Sequence, residues 1–575
     1  MKRLIGVGVG PGDPELVTVK AVRVLREADV VLVPVLAVPI PGHATEPGRA
    51  ETIIRSHIAA GRVKRLEFAL NDTGGVTPRR AAAWQTAAAA VAEEFAAGAA
   101  TVAFGTLGDP NLYSTFSYLA QTVRELVPGV RVETVAGITA LQDLASRAGL
   151  CLAEGTEPVT LVPLNGGVDA LDAALARGGT VVGYKVGAAA SPAPGVLRDR
   201  LQAAGRLDGA VIGARLGLEG ERIAPAAEFL PPAPTPAAAA PTLTQTDISD
   251  IPYLSTLIVP ARRPAAIGAA LHPRTQARPN DIGVASMSPE QHRCHTDAVS
   301  AGPAEEPPGP VGRVVFVGAG PGAPDLLTQR GARAIAKADV VIWASSLVDH
   351  GVLAHAKPGA EIVDSAKLPM EGVLPYYRRA RQQKLTIARV HSGDPSLWGA
   401  IQEQLEHCEA EGLDTEIVPG VSSFTAVAAA IGRELTIPGV AQSVILTRLG
   451  GGKTPMPPTE QVRDFARHGT TMALFLSAAR SGQLQEELRK GGYPPDTPCV
   501  VAYQVTWPDE LILRIALQDL AATVRQRKLW KHTLVLVGPA LAASGSRSLL
   551  YHPGHFHGYR KADPQARKQL RARDR

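Results

Sequence analysis

Hydrophobic positions in this chain fall into short runs, each closed by a glycine-rich turn. The first run, Leu4-Ile5-Gly6-Val7-Gly8-Val9, ends in Gly10-Pro11-Gly12. A run this short suits a parallel strand buried on both faces, and the helical stretch after Pro14 leads to a second apolar run at Val30-Val31. The same pattern returns 310 positions later as Val314-Val315-Phe316-Val317-Gly318-Ala319-Gly320-Pro321-Gly322, with Pro324 and then Val340-Val341. So long an offset indicates duplicated domains rather than a short-period repeat.

Three further marks occur in both copies. Gly108-Asp109-Pro110 and Gly393-Asp394-Pro395 follow apolar runs at 101–104 and 385–390. They sit at carboxyl ends of strands, where open α/β sheets bind ligands. Gly137-Ile138-Thr139-Ala140 and Gly420-Val421-Ser422-Ser423 follow strands at 130–135 and 415–418, and their hydroxyl residues suit helix N-caps. Apolar runs at 180–185 and 471–477 open a second α/β half in each copy. The expected fold class is therefore α/β: two tandem modules, each of two α/β subdomains. The expected domains are 1–261, a flexible Pro/Ala-rich linker at 262–312, 313–541, and a basic tail at 542–575. A linker of this kind predicts two modules, and two sites, that work independently.

Gly-rich turns after strands also suggest a dinucleotide fold. Pro11 and Pro14 delay the helix, however, and Asp29 precedes the second strand instead of ending it, so the dinucleotide fingerprint fits badly.

Composition narrows the picture. A net charge of +5 over 575 residues implies no nucleic-acid partner. The cysteines (Cys151, Cys294, Cys408, Cys499) form no C-x-x-C, which argues against a disulfide framework or a metal site. His552, His555 and His557 give no complete metal set. Asp13 and Glu15 interrupt any leader-like run, and the run at 30–40 is too short to span a bilayer. A cytoplasmic protein without membrane partners is expected.

The chain resembles the tetrapyrrole methylase family in GVGPGDPELVT and GAGPGAPDLLT, in LGDP and SGDP, and in GITA and PGVSS. The first copy is similar to precorrin-2 C-20-methyltransferases in TLGDPNLYSTFSYL and IPYLSTLIV. The second is similar to precorrin-4 C-11-methyltransferases in ARVHSGDPSLWGAI, VPGVSSFTAVAAAIGRELTIPGVAQSVILTR, KTPMP and FLSAAR. Departures are Ala136 for Pro, Ala323 for Asp, and Tyr184 where Met is usual.

The resemblance implies S-adenosylmethionine as cofactor, a tetrapyrrole (precorrin) substrate and a homodimer. It places the cofactor beside Pro11, Gly108, Asp109, Thr139, Ala140 and Tyr184 in the first module. In the second it implies Pro321, Gly393, Asp394, Ser422, Ser423, Leu476 and Ser477. The alternative reading of the aspartates is turn duty before Pro110 and Pro395. Arg448 and Lys453 are candidate holders of substrate carboxylates. Methyl transfer from a sulfonium needs positioning more than a catalytic triad or metal. His391 is the one candidate base, with a structural histidine as the alternative. Cobalt-bearing substrates, or a silent first copy serving as a dimerisation platform, are the alternative functions.

Overall fold

The computed structural model describes residues 1–36, 47–68, 78–188, 191–232, 251–263, 311–451, 456 and 460–542. Most of the expected linker, the basic tail and Lys453 lie outside the described residues.

Each module begins with a five-stranded parallel sheet. In the first, the order is Val63–Phe68, Val30–Leu36, Thr101–Thr106, Arg3–Gly8, Arg131–Val135. In the second it is Glu361–Asp364, Val340–Trp343, Thr386–His391, Arg313–Gly318, Asp414–Val418. The repeat strands are interior in both, and each pairs with the central strand, which carries a GDP turn. Their side chains are buried on both faces, as the unbroken apolar runs require.

Pro14 and Pro324 open one-turn 3₁₀ helices, not α-helices. The α-helices Val19–Glu27 and Gln329–Lys337 start later. Thr18 and Thr328 cap them by accepting from the N–H groups of Ala21 and Gly331 at 3.1 and 3.0 Å.

The second subdomains of the two modules share one sheet of ten strands. Its order is Leu511–Ala516, Pro498–Tyr503, Thr533–Val537, Thr471–Phe475, Val444–Arg448, Val159–Pro163, Thr180–Tyr184, Thr256–Val259, Val211–Ala214, Arg222–Pro225. The modules meet where Val444–Arg448 runs antiparallel to Val159–Pro163, with Val444 opposite Leu161 and Leu446 opposite Val159. The order reads the same from either end, so the join is a pseudo-twofold.

Other contacts repeat that symmetry. The Val19 N–H donates to the Leu327 carbonyl at 2.9 Å, and Gln329 donates to Val17 at 3.0 Å. Leu152 donates to Ser396, and Leu435 donates to Asn111. One apolar core, including Leu144, Leu152, Phe424 and Leu435, spans both modules.

This arrangement corrects the expectation of independent modules. The linker expected at 262–312 lies mostly outside the described residues, and its composition says nothing about how the modules dock. Even its first residue pair is held: Arg263 pairs with Glu157 at 2.8 Å and donates to the Cys151 carbonyl. Among the described residues, no helix is long and apolar enough to cross a membrane.

Candidate active site

In each module the three glycine-rich turns converge at the carboxyl edge of the first sheet. Gly10 and Gly108 exchange backbone hydrogen bonds, as do Gly320 and Gly393. Gly108 and Gly393 have φ of +71° and +67°, a region that strains any other residue. A Cβ on Gly108 would meet nothing within 4 Å, and one on Gly393 only the Val421 carbonyl at 4.0 Å. The space above both turns is therefore open to a ligand, while the backbone below is tightly packed. A Cβ on Gly137 would lie 2.3 Å from the Gly108 carbonyl, and one on Gly420 2.2 Å from that of Gly393.

Asp109 and Asp394 fasten these turns together. The Asp109 carboxylate accepts from the Asn111 N–H at 2.8 Å and the Gly137 N–H at 2.9 Å. Burial raises its pKa to about 7 despite those bonds. Asp394 accepts from the N–H groups of Ser396 at 2.9 Å and Gly420 at 3.1 Å, and from the Ser396 hydroxyl. A further bond comes from the other module, from Gln142 Nε2 at 3.0 Å. Burial raises the Asp394 pKa as well. Turn duty is thus what both aspartates perform in the free protein. An incoming cation would compensate the burial of either carboxylate.

Thr139 N-caps the helix Ala140–Arg147, and Ser422 occupies the same place before Ser423–Ile431. Thr139 and Ser422 are buried, whereas Ala140 and Ser423 are half-exposed on the cleft side. Pro11 and Pro321 lie in the first turns, facing the second subdomains. The Pro321 carbonyl accepts from the Trp507 indole at 2.7 Å, and Gly12 abuts the Leu216 carbonyl.

The strand register relates the positions named past the second subdomains' strands. Strands Thr180–Tyr184 and Thr471–Phe475 match, so Tyr184 corresponds to Phe475 and Lys185 to Leu476. Lys185 and Leu476 both take left-handed φ, 63° and 51°. Sequence reasoning missed Lys185, because the strained residue just past a strand has no side-chain signature. Lys185 lies over the Tyr113 ring at 5.5 Å, and burial lowers its pKa; Leu476 is 65% exposed. Ser477 is buried and structural, accepting from the Leu449 N–H at 2.7 Å.

Arg448 donates to the Gly155 carbonyl of the first module at 2.9 Å, so one of its donors is already engaged. His391 ends the strand bearing the second GDP turn. Burial and nearby Arg389 depress its pKa well below the usual histidine value, leaving it neutral, with Nε2 unpartnered. Thr106 holds the corresponding place in the first module, 3.3 Å from the Ser114 hydroxyl.

Two buried polar atoms without partners stand beside residues of these sites. The Trp398 indole nitrogen is one. The Tyr184 hydroxyl is another: it faces Thr139 and the Leu141 backbone without hydrogen-bond geometry. Such groups, together with the open space above Gly108 and Gly393, fit a polar cofactor bearing both charges and an aromatic ring.

Comparisons with known proteins agree. The family model of the tetrapyrrole (corrin/porphyrin) methylases matches twice, over residues 3–229 and 313–521. A cobalt-precorrin-4 C(11)-methyltransferase of Methanocaldococcus jannaschii is 43% identical over 251 residues, covering 44% of this chain and 96% of its own. A precorrin-4 C(11)-methyltransferase of Sinorhizobium sp. is 42% identical over 43% of this chain and 98% of its own. Among solved structures, a cobalt precorrin-4 methyltransferase is 43% identical, with a TM-score of 0.39, over 40% of this chain and 96% of that one. A uroporphyrin-III C-methyltransferase of Thermus thermophilus complexed with S-adenosylhomocysteine is 28% identical, with a TM-score of 0.34, over 40% of this chain and 94% of that one. With both modules matched, the chain belongs to the tetrapyrrole methylases, the S-adenosylmethionine-dependent enzymes that methylate corrin and porphyrin precursors.

Proposed function

We propose that the chain is a bifunctional C-methyltransferase of corrin-ring construction, methylating precorrin-4 at C-11 with its second module and precorrin-2 at C-20 with its first. The observation that carries this is the unequal likeness of the two modules. The C-11 motifs run almost unbroken from Ala388 through Arg448, and relatives of that activity each cover one module's length of chain. The C-20 assignment rests on the shorter first-module motifs. Both modules keep the three turns, the buried aspartate and the left-handed residue after the strand, which supports two working sites over a silent first copy.

S-adenosylmethionine supplies an activated methyl group on a sulfonium. The protein's part is to hold donor and acceptor in line in a dry cleft. Gly108 and Gly393 let the methionine moiety approach the backbone, and Asp109 and Asp394 provide the carboxylate an ammonium or ribose hydroxyl requires. His391, with Nε2 unpartnered, is the proposed proton acceptor of the second module, with the burial that disfavours its protonated form speaking for the structural alternative. Arg448, and Lys453 beyond the described residues, are the proposed carboxylate holders for the tetrapyrrole. A cytoplasmic location is part of this reading. Self-association of the chain, in addition to the intrachain pairing, also belongs to this reading.

The test is to assay the purified full chain with precorrin-2 and precorrin-4, each cobalt-free and cobalt-bearing, beside Gly108→Val and Gly393→Val. Each variant should lose one reaction and keep the other. Loss of neither reaction would refute the site, and turnover of cobalt-bearing substrates alone would move the enzyme to the cobalt-dependent series.

A further inference from the structure

The two GDP turns differ in where their support comes from. Gln142 belongs to the first module, on the helix Ala140–Arg147, and is 0% exposed. Its Oε1 accepts from the Thr139 N–H at 3.0 Å and the Thr139 hydroxyl at 2.9 Å. Its Nε2 donates to Asp394 Oδ2 at 3.0 Å and to the Gly420 carbonyl at 2.6 Å, both in the second module. The amide orientation is fixed chemically: a backbone N–H can only donate, and a backbone carbonyl can only accept. All four hydrogen-bonding positions of the amide are therefore used, in the buried contact between two candidate cofactor sites.

The duplication offers an internal control. The residue corresponding to Gln142 in the second module is Thr425, whose hydroxyl stays at home and donates to the Ser422 carbonyl. Among the described residues, Asp109 accordingly accepts from its own module, through Asn111 and Gly137. For the turn aspartates themselves, the support from across the interface runs one way, from the first module to Asp394.

We propose that Gln142 is a positioning residue for the second module's cofactor turn, so that this turn is complete only with the first module docked against it. The proposal rests on the reading that the Asp394 turn holds the cofactor. Gln142 touches neither cofactor nor substrate. It fixes the carboxylate rotamer and the spacing between Asp394 and Gly420, giving Asp394 Oδ2 two donors, Gly420 N–H and Gln142 Nε2.

The test uses the full-length chain and S-adenosylhomocysteine in calorimetry, with Gly108→Val as background so that only the second site reports. Gln142→Glu keeps the acceptor that caps Thr139 but turns a carboxylate toward Asp394 and the Gly420 carbonyl. Second-site affinity is expected to fall by at least about tenfold at pH 8, the loss of a hydrogen bond to a charged group. It should recover as pH is lowered toward 6, when a proton shared by the two carboxylates restores a donor. A residue that merely packs the interface would give no such pH recovery. Gln142→Met, of similar volume without a donor, should lose affinity at every pH, and it decides the matter if Gln142→Glu fails to melt cooperatively. If Asp394→Ala weakens binding while both Gln142 variants bind like the parent, the proposal is overturned and the site reading stands. If Asp394→Ala and Gly393→Val also bind normally, the site reading itself is wrong.

Discussion

The two modules share a backbone solution and differ in how side chains support it. Gly108 and Gly393 have the same φ within a few degrees, and each is bonded to the glycine of its own first turn. Around them the support diverges. Asp109 is held by its own module, whereas Asp394 borrows an amide from across the interface. Asp13, beside the first turn, is engaged by Arg147 and by Arg330 of the second module. At the matching place stands Ala323, whose N–H instead donates to the Thr506 hydroxyl at 2.9 Å. Lys185 of the first module corresponds to Leu476 of the second. Duplication has thus kept what only glycine and left-handed φ can supply, and has let vary what several side chains can supply equally well.

The severest way to break the comparison is to separate the modules. Expressed alone, each would expose the edge of the ten-stranded sheet along 159–163 or 444–448, together with the core shared by Leu152, Phe424 and Leu435. Isolated modules are expected to aggregate or to associate with their own kind, and to melt well below the full chain. Proteolysis within 264–310 should instead leave two fragments that elute together near the 60.1 kDa position of one chain. Fragments that separate without denaturant would show that the shared sheet contributes little, and a larger mass for the uncut protein would indicate the additional self-association expected of the family.

Next in size is Gly108→Val or Gly393→Val. Strain at a left-handed β-branched residue is of the order of 1–3 kcal/mol. The side chain also fills the space above the turn. Calorimetric stoichiometry with S-adenosylhomocysteine should fall from two to one in each variant, with cooperative melting retained. Two sites in either variant would mean that the open space is not the cofactor's.

Asp13→Ala sharpens the comparison by giving the first turn the second turn's side chain. It leaves Arg147 with Asp143 and Glu221, but takes from Arg330 its contact with Asp13, and Glu15 at 3.5 Å is its remaining partner. Removing one member of a partly buried charge cluster should cost about 1–3 kcal/mol of global stability in a denaturant titration. The matching change Ala323→Asp should bring no gain, since residues 143 and 147 correspond to Ala426 and Ala430. Equal effects on both sides would mean that the charge network carries no stability.

The sequence disclosed these features unequally, for physical reasons. The turns were legible because their φ values leave almost no choice of residue. The alternation of strand and helix was legible because the buried parallel strands are uninterrupted apolar runs. Thr139-x-x-Gln142 carries the spacing of a capping box, and the structure forms one. The second pair of bonds made by Gln142 left no trace, since a buried amide at a helix start looks the same whichever chain segment lies beyond it. The interface was invisible for a similar reason. Leu152, Leu161 and Leu435 read as ordinary core, and only the third dimension shows that the core is shared. Lys185 went unnamed beside Tyr184, although the strand register sets it opposite Leu476 of the second module.

The smallest expected effect concerns pH, and it separates the two aspartates. Desolvation lifts Asp109 to about 7, against two backbone donors and the nearby Asn111 side chain. Asp394 is also raised by burial, but it accepts from Ser396 twice, from Gly420 and from Gln142, and each bond favours the ionised form. For a carboxylate whose folded pKa lies above its unfolded value, the native state binds the extra proton. Without cofactor, then, Asp109 lowers stability as pH rises from about 4 to about 7. A cationic ligand reverses that preference, because it binds the ionised form and must expel the proton when pH is below the pKa. Affinity at the first site should therefore drop by about tenfold between pH 8 and pH 6, with proton release measurable by calorimetry in buffers of different ionisation enthalpy. The second site should hold its affinity to lower pH, because its additional donors oppose the burial that raises Asp394. Asp109→Asn should flatten the first profile and leave the second unchanged. Two sites that lose affinity together over the same window would mean that the borrowed amide of Gln142 does not distinguish them electrostatically, whatever it does for the geometry.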